Sequence, residues 1–444
     1  MRIFTMAALL ALLPACAHAQ SQAPSPANCA PLTLVNTIPM LRGLDGDEDF
    51  VPILFDGGWK YFLFDTGGDL TSITQVAADG MKLQLHNSFI AMQGVTSGAP
   101  AKLARVDRFV LGHLKSGQTY FQLSPNGLDA DADGIFAPDY LLNYDAEVDF
   151  GTDTLNFFSP DHCPGRVVYW HPSALAVLPM KVDGSFHIIV PVTIDGEKFD
   201  ALIDSGATGT FLRADIAERR FHLTLGDADT PKMGVVNHDA SFPFYQHIFK
   251  SLTFGDVAVG NPRVSIDPTG PDVVIGMNVL SKLHLYMAFK EKTLFISAAS
   301  AGGKPAPFPP AYFTANIARW TGVAANDAQN PAAWSNRCFW RAAAKTELDG
   351  ALTDCEHSLK LKADWAPGFF GKGLALYQQG KFQDAAAALD AAVAADTKNA
   401  NYLFMRGLTK TALGDTPGGG VDMDLAKTLS PTIPAAFRKL GLAN

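Results

Sequence analysis

The sequence predicts a multidomain chain, a mostly-β bilobal unit followed by an α-helical repeat domain, and three observations carry that prediction. First, Phe62-Leu63-Phe64-Asp65-Thr66-Gly67-Gly68 recurs as Ala201-Leu202-Ile203-Asp204-Ser205-Gly206-Ala207, 139 residues later (204 − 65). Second, Val51-Pro52-Ile53 and Val190-Pro191-Val192 keep that offset upstream, as Ile135-Phe136-Ala137 and Val274-Ile275-Gly276 keep it downstream. Third, the composition changes after residue 298, and Gly373, Gly380 and Ala392 return as Gly407, Gly414 and Ala426, each 34 residues on (407 − 373). A fixed period marks one structural unit copied, so two periods mean two kinds of domain.

The 444 residues exceed the roughly 100 to 200 of one typical domain, and a hydrophobic content of 48% supports well-buried cores. A net charge of −9 offers no basic face to phosphates, which argues against a nucleic-acid partner. Residues 1–19 hold one basic residue (Arg2), an apolar run over 3–13, Pro14, and Ala17-His18-Ala19 as a small-x-small cleavage site. That pattern predicts a secretory signal peptide rather than a membrane span, which needs roughly 20 apolar residues. No later stretch competes, so no transmembrane span is expected and the protein reads as exported, periplasmic or secreted. Leu13-Pro14-Ala15-Cys16 is similar to a lipoprotein signal that would leave a lipidated Cys16, but Pro14 departs from that pattern and simple secretion is preferred. Cys29, Cys163, Cys338 and Cys355 then remain, and an even count in an exported chain suggests disulfides. Cys29 and Cys163 bracket the first repeat, while Cys338 and Cys355 fall within one helical hairpin, so both are candidate pairs with the connectivity open.

Taken in order, residues 20–31 read as a flexible leader. The first lobe, 32–165, opens with a strand at 50–55, an Asp56-Gly57-Gly58 turn and a returning strand at 59–64. In the second lobe, 166–298, the matching hairpin is 188–194, Asp195-Gly196 and 198–203. Both hairpins deliver an acid at a strand end. Gly94 and Gly98 in one lobe, and Gly234 in the other, lie in small polar segments that read equally well as mobile flap tips or ordinary surface hairpins. Short helices follow at 139–142 and 278–283, then strand pairs at 146–150 with 154–158 and 285–289 with 293–297. Residues 299–331, rich in Ala, Gly and Pro, read as a linker with a short helix at 313–320. Beyond it, Phe369, Gly373, Leu376, Gly380, Phe382, Ala385, Leu389 and Ala392 give 332–440 a resemblance to tetratricopeptide (TPR) repeats. Two to three repeats are expected, the third degraded by Pro417-Gly418-Gly419-Gly420. Small residues there let helices approach, and a protein partner would use the concave groove.

A lone Asp-Thr-Gly usually shapes no more than a turn. Two copies, each after an apolar strand and each followed at equal distance by an apolar-apolar-small segment, resemble the bacterial, single-chain retropepsin-like aspartic peptidases over residues 35–298. The match is specific in the second lobe; in the first, Gly68 stands for the usual Ala and Ala137 for the bracing Gly. The resemblance implies an acid-protease fold in which Asp65 and Asp204 form the catalytic pair. It further implies that the Thr66 and Ser205 hydroxyls cross-link the two loops, that Gly67 and Gly206 let them approach, and that Ala137 and Gly276 brace them. The expected function is an aspartic endopeptidase, a hydrolase that activates water between two acids, with a peptide or protein substrate, no cofactor and a monomeric catalytic unit. The alternative is a catalytically weak or inactive peptide-binding or scaffold protein working through the bilobal groove and the helical repeats. Other chemistry fits poorly. The eleven histidines form no His-Glu-x-x-His motif, the Cys spacing does not suit zinc, and neither a phosphate loop nor a Gly-x-Ser-x-Gly elbow occurs, so no metal is expected. His162, His222 and His238 read as surface or capping residues.

Overall fold

The computed structural model describes residues 29–44, 46–87, 102–124, 132–237, 241–302 and 306–443. The expected signal peptide, Cys16, Gly94, Gly98 and His238 lie outside the described residues.

Alternating apolar residues build two sheets with the same plan. Strand Ile188–Ile194 returns as Glu197–Ile203, and the two turn residues between them, Asp195 and Gly196, both have positive φ (42° and 90°). That conformation matches the right-handed twist of a tight hairpin. Asp49–Phe55 and Gly58–Phe64 form the corresponding hairpin in the first lobe. Among the described residues each lobe is a ten-stranded sheet, and the strand order is the same in both. The buried faces of both sheets, with Phe62, Phe64 and Phe121 on one side and Ile203, Leu212 and Ile266 on the other, join a single apolar core.

The closing strand pairs do not stay within their lobes. Leu34–Pro39, Asp145–Asp149 and Thr154–Phe158 combine with Ala176–Pro179, Leu283–Ala288 and Thr293–Ala298 in one six-stranded sheet, joined where Val148 pairs with Leu285. Successive residues of a strand face opposite ways. Ala146 and Val148 therefore enter the core, while Asp145, Glu147 and Asp149 line the other face, beneath the connection between the lobes. His162, expected at the surface, is buried there and pairs with Asp145. Tyr169 donates to Glu147 Oε2 at 2.6 Å, and His284 Nε2 lies 2.7 Å from Glu147 Oε1. Buried acids need such partners, which is why a histidine that looks peripheral in sequence is drawn inside. His222 does cap a helix, ending Ala214–Phe221 in a left-handed conformation. Two disulfides, Cys29–Cys163 and Cys338–Cys355, are present.

Residues 299–331 differ from the linker expectation. They contain the 17-residue helix Pro310–Asn326, which buries Tyr312, Ala315, Asn316, Arg319 and Trp320. Tyr312 packs edge-on to Tyr61 of the first lobe at 4.8 Å, and the Arg319 guanidinium meets buried Asp133 at 3.0 Å. Three helical hairpins follow: Pro331–Ala343 with Leu348–Leu361, Ala366–Gln378 with Phe382–Ala395, and Ala400–Ala412 with Thr416–Leu429. The last of these corrects the expectation that Pro417-Gly418-Gly419-Gly420 degrades its repeat. Pro417 occupies the first turn, where its missing N–H costs nothing, and Asp415 caps the Gly418 N–H at 2.9 Å. A Cβ at Gly419 would fall 2.5 Å from the Gly407 carbonyl, so glycine is what lets these two helices close. The final helix, Ile433–Lys439, returns to the first lobe, and buried Lys439 donates to the carbonyls of Arg42 (2.8 Å) and Gly43 (3.0 Å). Among the described residues no helix is long and apolar enough to cross a membrane.

Candidate active site

Each acid sits where a central strand runs out into a turn. Gly134–Phe136 lies parallel to Gly58–Phe64, and Val273–Ile275 lies parallel to Glu197–Ile203. The Asp65 N–H donates to the Phe136 carbonyl at 3.1 Å, and the Asp204 N–H to the Ile275 carbonyl at 3.0 Å. The chain thus leaves both sheets at the same point, and both carboxyl groups come to the boundary between the lobes.

Four cross-lobe hydrogen bonds hold the loops together. Thr66 Oγ1 donates to the Ile203 carbonyl at 2.8 Å and accepts the Ser205 N–H at 3.0 Å. Ser205 Oγ donates to the Phe64 carbonyl at 2.7 Å and accepts the Thr66 N–H at 3.0 Å. Both hydroxyls are buried, and each meets its hydrogen-bonding needs on the opposite lobe. Gly67 and Gly206 set how near the loops come. A Cβ on Gly67 would fall 2.4 Å from Asp204 Cγ, and one on Gly206 would fall 2.4 Å from Asp65 Cγ. Each carboxyl group rests in the space that a side chain on the other loop would fill.

The acids themselves are half-buried and close enough for each to shift the other's titration. Gly67 N–H donates to Asp65 Oδ1 at 2.9 Å; Gly206 and Ala207 N–H groups donate to Asp204 Oδ1 at 2.9 and 3.0 Å. Burial, then the charge of Asp204, push Asp65 up to about 7. Burial raises Asp204 as well. Two carboxyl groups this close hold one proton between them over a wide pH range and titrate as a pair. Such a pair can take a proton from a water molecule with its ionised member and give one to a carbonyl oxygen with the other.

A second layer, which sequence reasoning missed, holds the bracing segments. Thr71 Oγ1 accepts the Ala137 N–H at 3.0 Å and donates to Asp139 Oδ1 at 2.6 Å. Thr210 Oγ1 accepts the Gly276 N–H at 3.2 Å and donates to Asn278 Oδ1 at 2.8 Å. The offset of 139 that relates the acids also relates 71 to 210 and 139 to 278, and following it further would have found all four. The departures in the first lobe have a local account. A Cβ at Gly276 would lie 2.0 Å from the Gly209 carbonyl, and the Met277 N–H donates to Ala207 at 2.8 Å. Ala137 brings a Cβ and Pro138 has no N–H to give, so the first loop is held instead by Asp139, whose Oδ1 also accepts the Thr71 N–H at 3.1 Å. Beside the loops His187 Nε2 of the second lobe lies 3.0 Å from Asp69 Oδ1 of the first, a contact that sequence reasoning did not single out. Gly234 lies in strand Lys232–Asn237, paired with Ser241–Ile248.

Residues 190–282 match the family described as "gag-polyprotein putative aspartyl protease". The second lobe carries an aspartyl-protease-like domain. The matched stretch includes Asp204-Ser205-Gly206 and Gly276, the half of the site in which the loop and its brace follow the aspartic-peptidase pattern without departure. No curated protein matches the chain. Among solved structures, basic 7S globulin from soybean is similar, with a TM-score of 0.37 and 9% identity over 60% of this chain and 96% of that one.

Proposed function

We propose that this protein is a single-chain aspartic endopeptidase in which Asp65 and Asp204 activate one water molecule for attack on a peptide carbonyl. The observation that carries the reading is mutual: each carboxyl group occupies the space above the glycine of the opposite loop, which brings the two acids together. The ionised acid removes a proton from water as the protonated one donates to the carbonyl oxygen, giving a tetrahedral intermediate with no covalent link to the enzyme. Substrate lies extended between the lobes, bound largely through its backbone, and the catalytic unit is a monomer because one chain supplies both acids. The Asp65 and Asp204 N–H groups are held alike, on the Phe136 and Ile275 carbonyls, and Gly67 and Gly206 each donate to the acid of their own loop, despite Gly68 and Ala137, which supports turnover over a binding-only role. The two disulfides and the apolar N-terminal segment support export to an oxidising compartment such as a bacterial periplasm. The helical hairpins, whose helices begin 34 residues apart at 366 and 400 and at 382 and 416, are read as TPR-like.

The test is incubation with a reduced, unfolded protein at mildly acid pH, with fragments read by mass spectrometry. Cleavage at internal bonds by the native chain and none by Asp204→Asn is the expected result. Equal cleavage by both would assign the activity elsewhere.

A further inference from the structure

On the reading just given, an extended polypeptide leaves the cleft between the lobes. We infer that it continues into a groove along the helical hairpins, which forms a second binding site for an unfolded, acid-poor segment of the same substrate. The groove has a volume of about 460 Å³, and its lining includes Thr208, on the loop that carries Asp204. It therefore comes up to that loop, beside the candidate active site.

Three features of the lining select the occupant. Phe339, Phe370 and Tyr402, one from the first helix of each successive hairpin, form a row with ring centroids 5.7 and 5.0 Å apart. A row of that kind suits side chains spaced along an extended strand. The amides of Asn336 and Asn401 line the same groove, and an amide both donates and accepts, so it can bind peptide backbone whatever the sequence. Among the described residues the charged ones of the lining are Asp47 and Glu48, with no lysine or arginine beside them. A chain terminus bearing a carboxylate, or an acidic segment, is disfavoured there, and an internal neutral or basic segment is favoured.

The duplication explains why the groove opens at one end of the cleft. At the other end His187 reaches across to Asp69. The positions matching that pair through the offset of 139 are Glu48 (187 − 139) and Thr208 (69 + 139), and both line the groove. The helical hairpins are also fixed to the first lobe at both ends, through Arg319 with Asp133 and Lys439 with the Arg42 and Gly43 carbonyls. A groove held in place adds binding contacts without the cost of ordering a mobile domain.

The experiment compares fluorogenic peptides that share one cleavable core: bare, or extended by about ten neutral residues, ~33 Å of chain, on one side or the other. Extension on one side alone should raise kcat/KM roughly tenfold, chiefly through KM. A glutamate-rich extension should not. Asn336→Glu with Asn401→Glu should bring the ratio of extended to bare peptide down to about one, and Asn401→Gln should keep most of it. Anisotropy of the labelled extended peptide on Asp204→Asn protein reads the same binding without turnover. Equal kcat/KM and equal affinity for all the peptides would overturn the inference. Binding that depends on Asn401 with no cleavage of any peptide would leave the groove standing and remove the peptidase reading.

Discussion

A methyl group at Gly67 or Gly206 would enter the space of the opposing carboxyl group, 2.4 Å from its Cγ. Gly67→Ala and Gly206→Ala are therefore expected to push the acids apart and to lower turnover at least ~10²-fold, since catalytic groups displaced by about an ångström lose that much. Circular dichroism should report an intact fold, because Thr66 and Ser205 still bridge the loops. The pH dependence follows from the same closeness. Asp65 is raised from 3.8 to about 7, so the folded state favours its protonated form. Its stabilising contribution is complete below about 4 and is lost as the pH rises through about 7. The melting temperature should fall across that window in the native chain and vary less in Asp65→Asn, and activity should decline above about 7 as the shared proton leaves. Asp65, Thr66 and their partners could be read from the sequence because they are repeated. His162 could not, since its burial depends on Asp145 and Tyr286, which come from distant strands of both lobes.

At the scale of elements, the repeated hairpins could be read because alternating apolar residues and turn residues act locally. The helix Pro310–Asn326 was read too short for a physical reason. Its buried stripe includes Asn316 and Arg319, which interrupt apolar periodicity and are buried only because Asp133 of the first lobe answers the guanidinium. Arg319→Met should leave Asp133 buried without its main counter-charge and cost about 3 to 5 kcal/mol in urea unfolding. Limited proteolysis within 299–331 should then quicken. A gain in stability would mean that the pair is not what seats the helix. The glycines at 418–420 were misread in the opposite sense, since glycine ordinarily weakens a helix interior. Here Gly418 and Gly419 sit in a capped first turn, where the Asp415 carboxyl group and the neighbouring helix leave no room for a side chain.

For the whole molecule, the duplicated halves form one unit through a shared six-stranded sheet and four loop-to-loop hydrogen bonds. The sequence showed that each closing strand pair existed. It did not show that the pairs join across the lobes, because the strands that meet at Val148 and Leu285 lie more than a hundred residues apart. On the proposed mechanism Asp65 and Asp204 act as one group. The most direct measurement is the cleavage rate of Asp65→Asn, Asp204→Asn and the double variant on a single peptide substrate. Residues that work as a unit are not additive, so all three variants should lose activity by the same factor, at least ~10²-fold. A single variant that keeps a tenth of the native rate, or losses that multiply in the double variant, would contradict it.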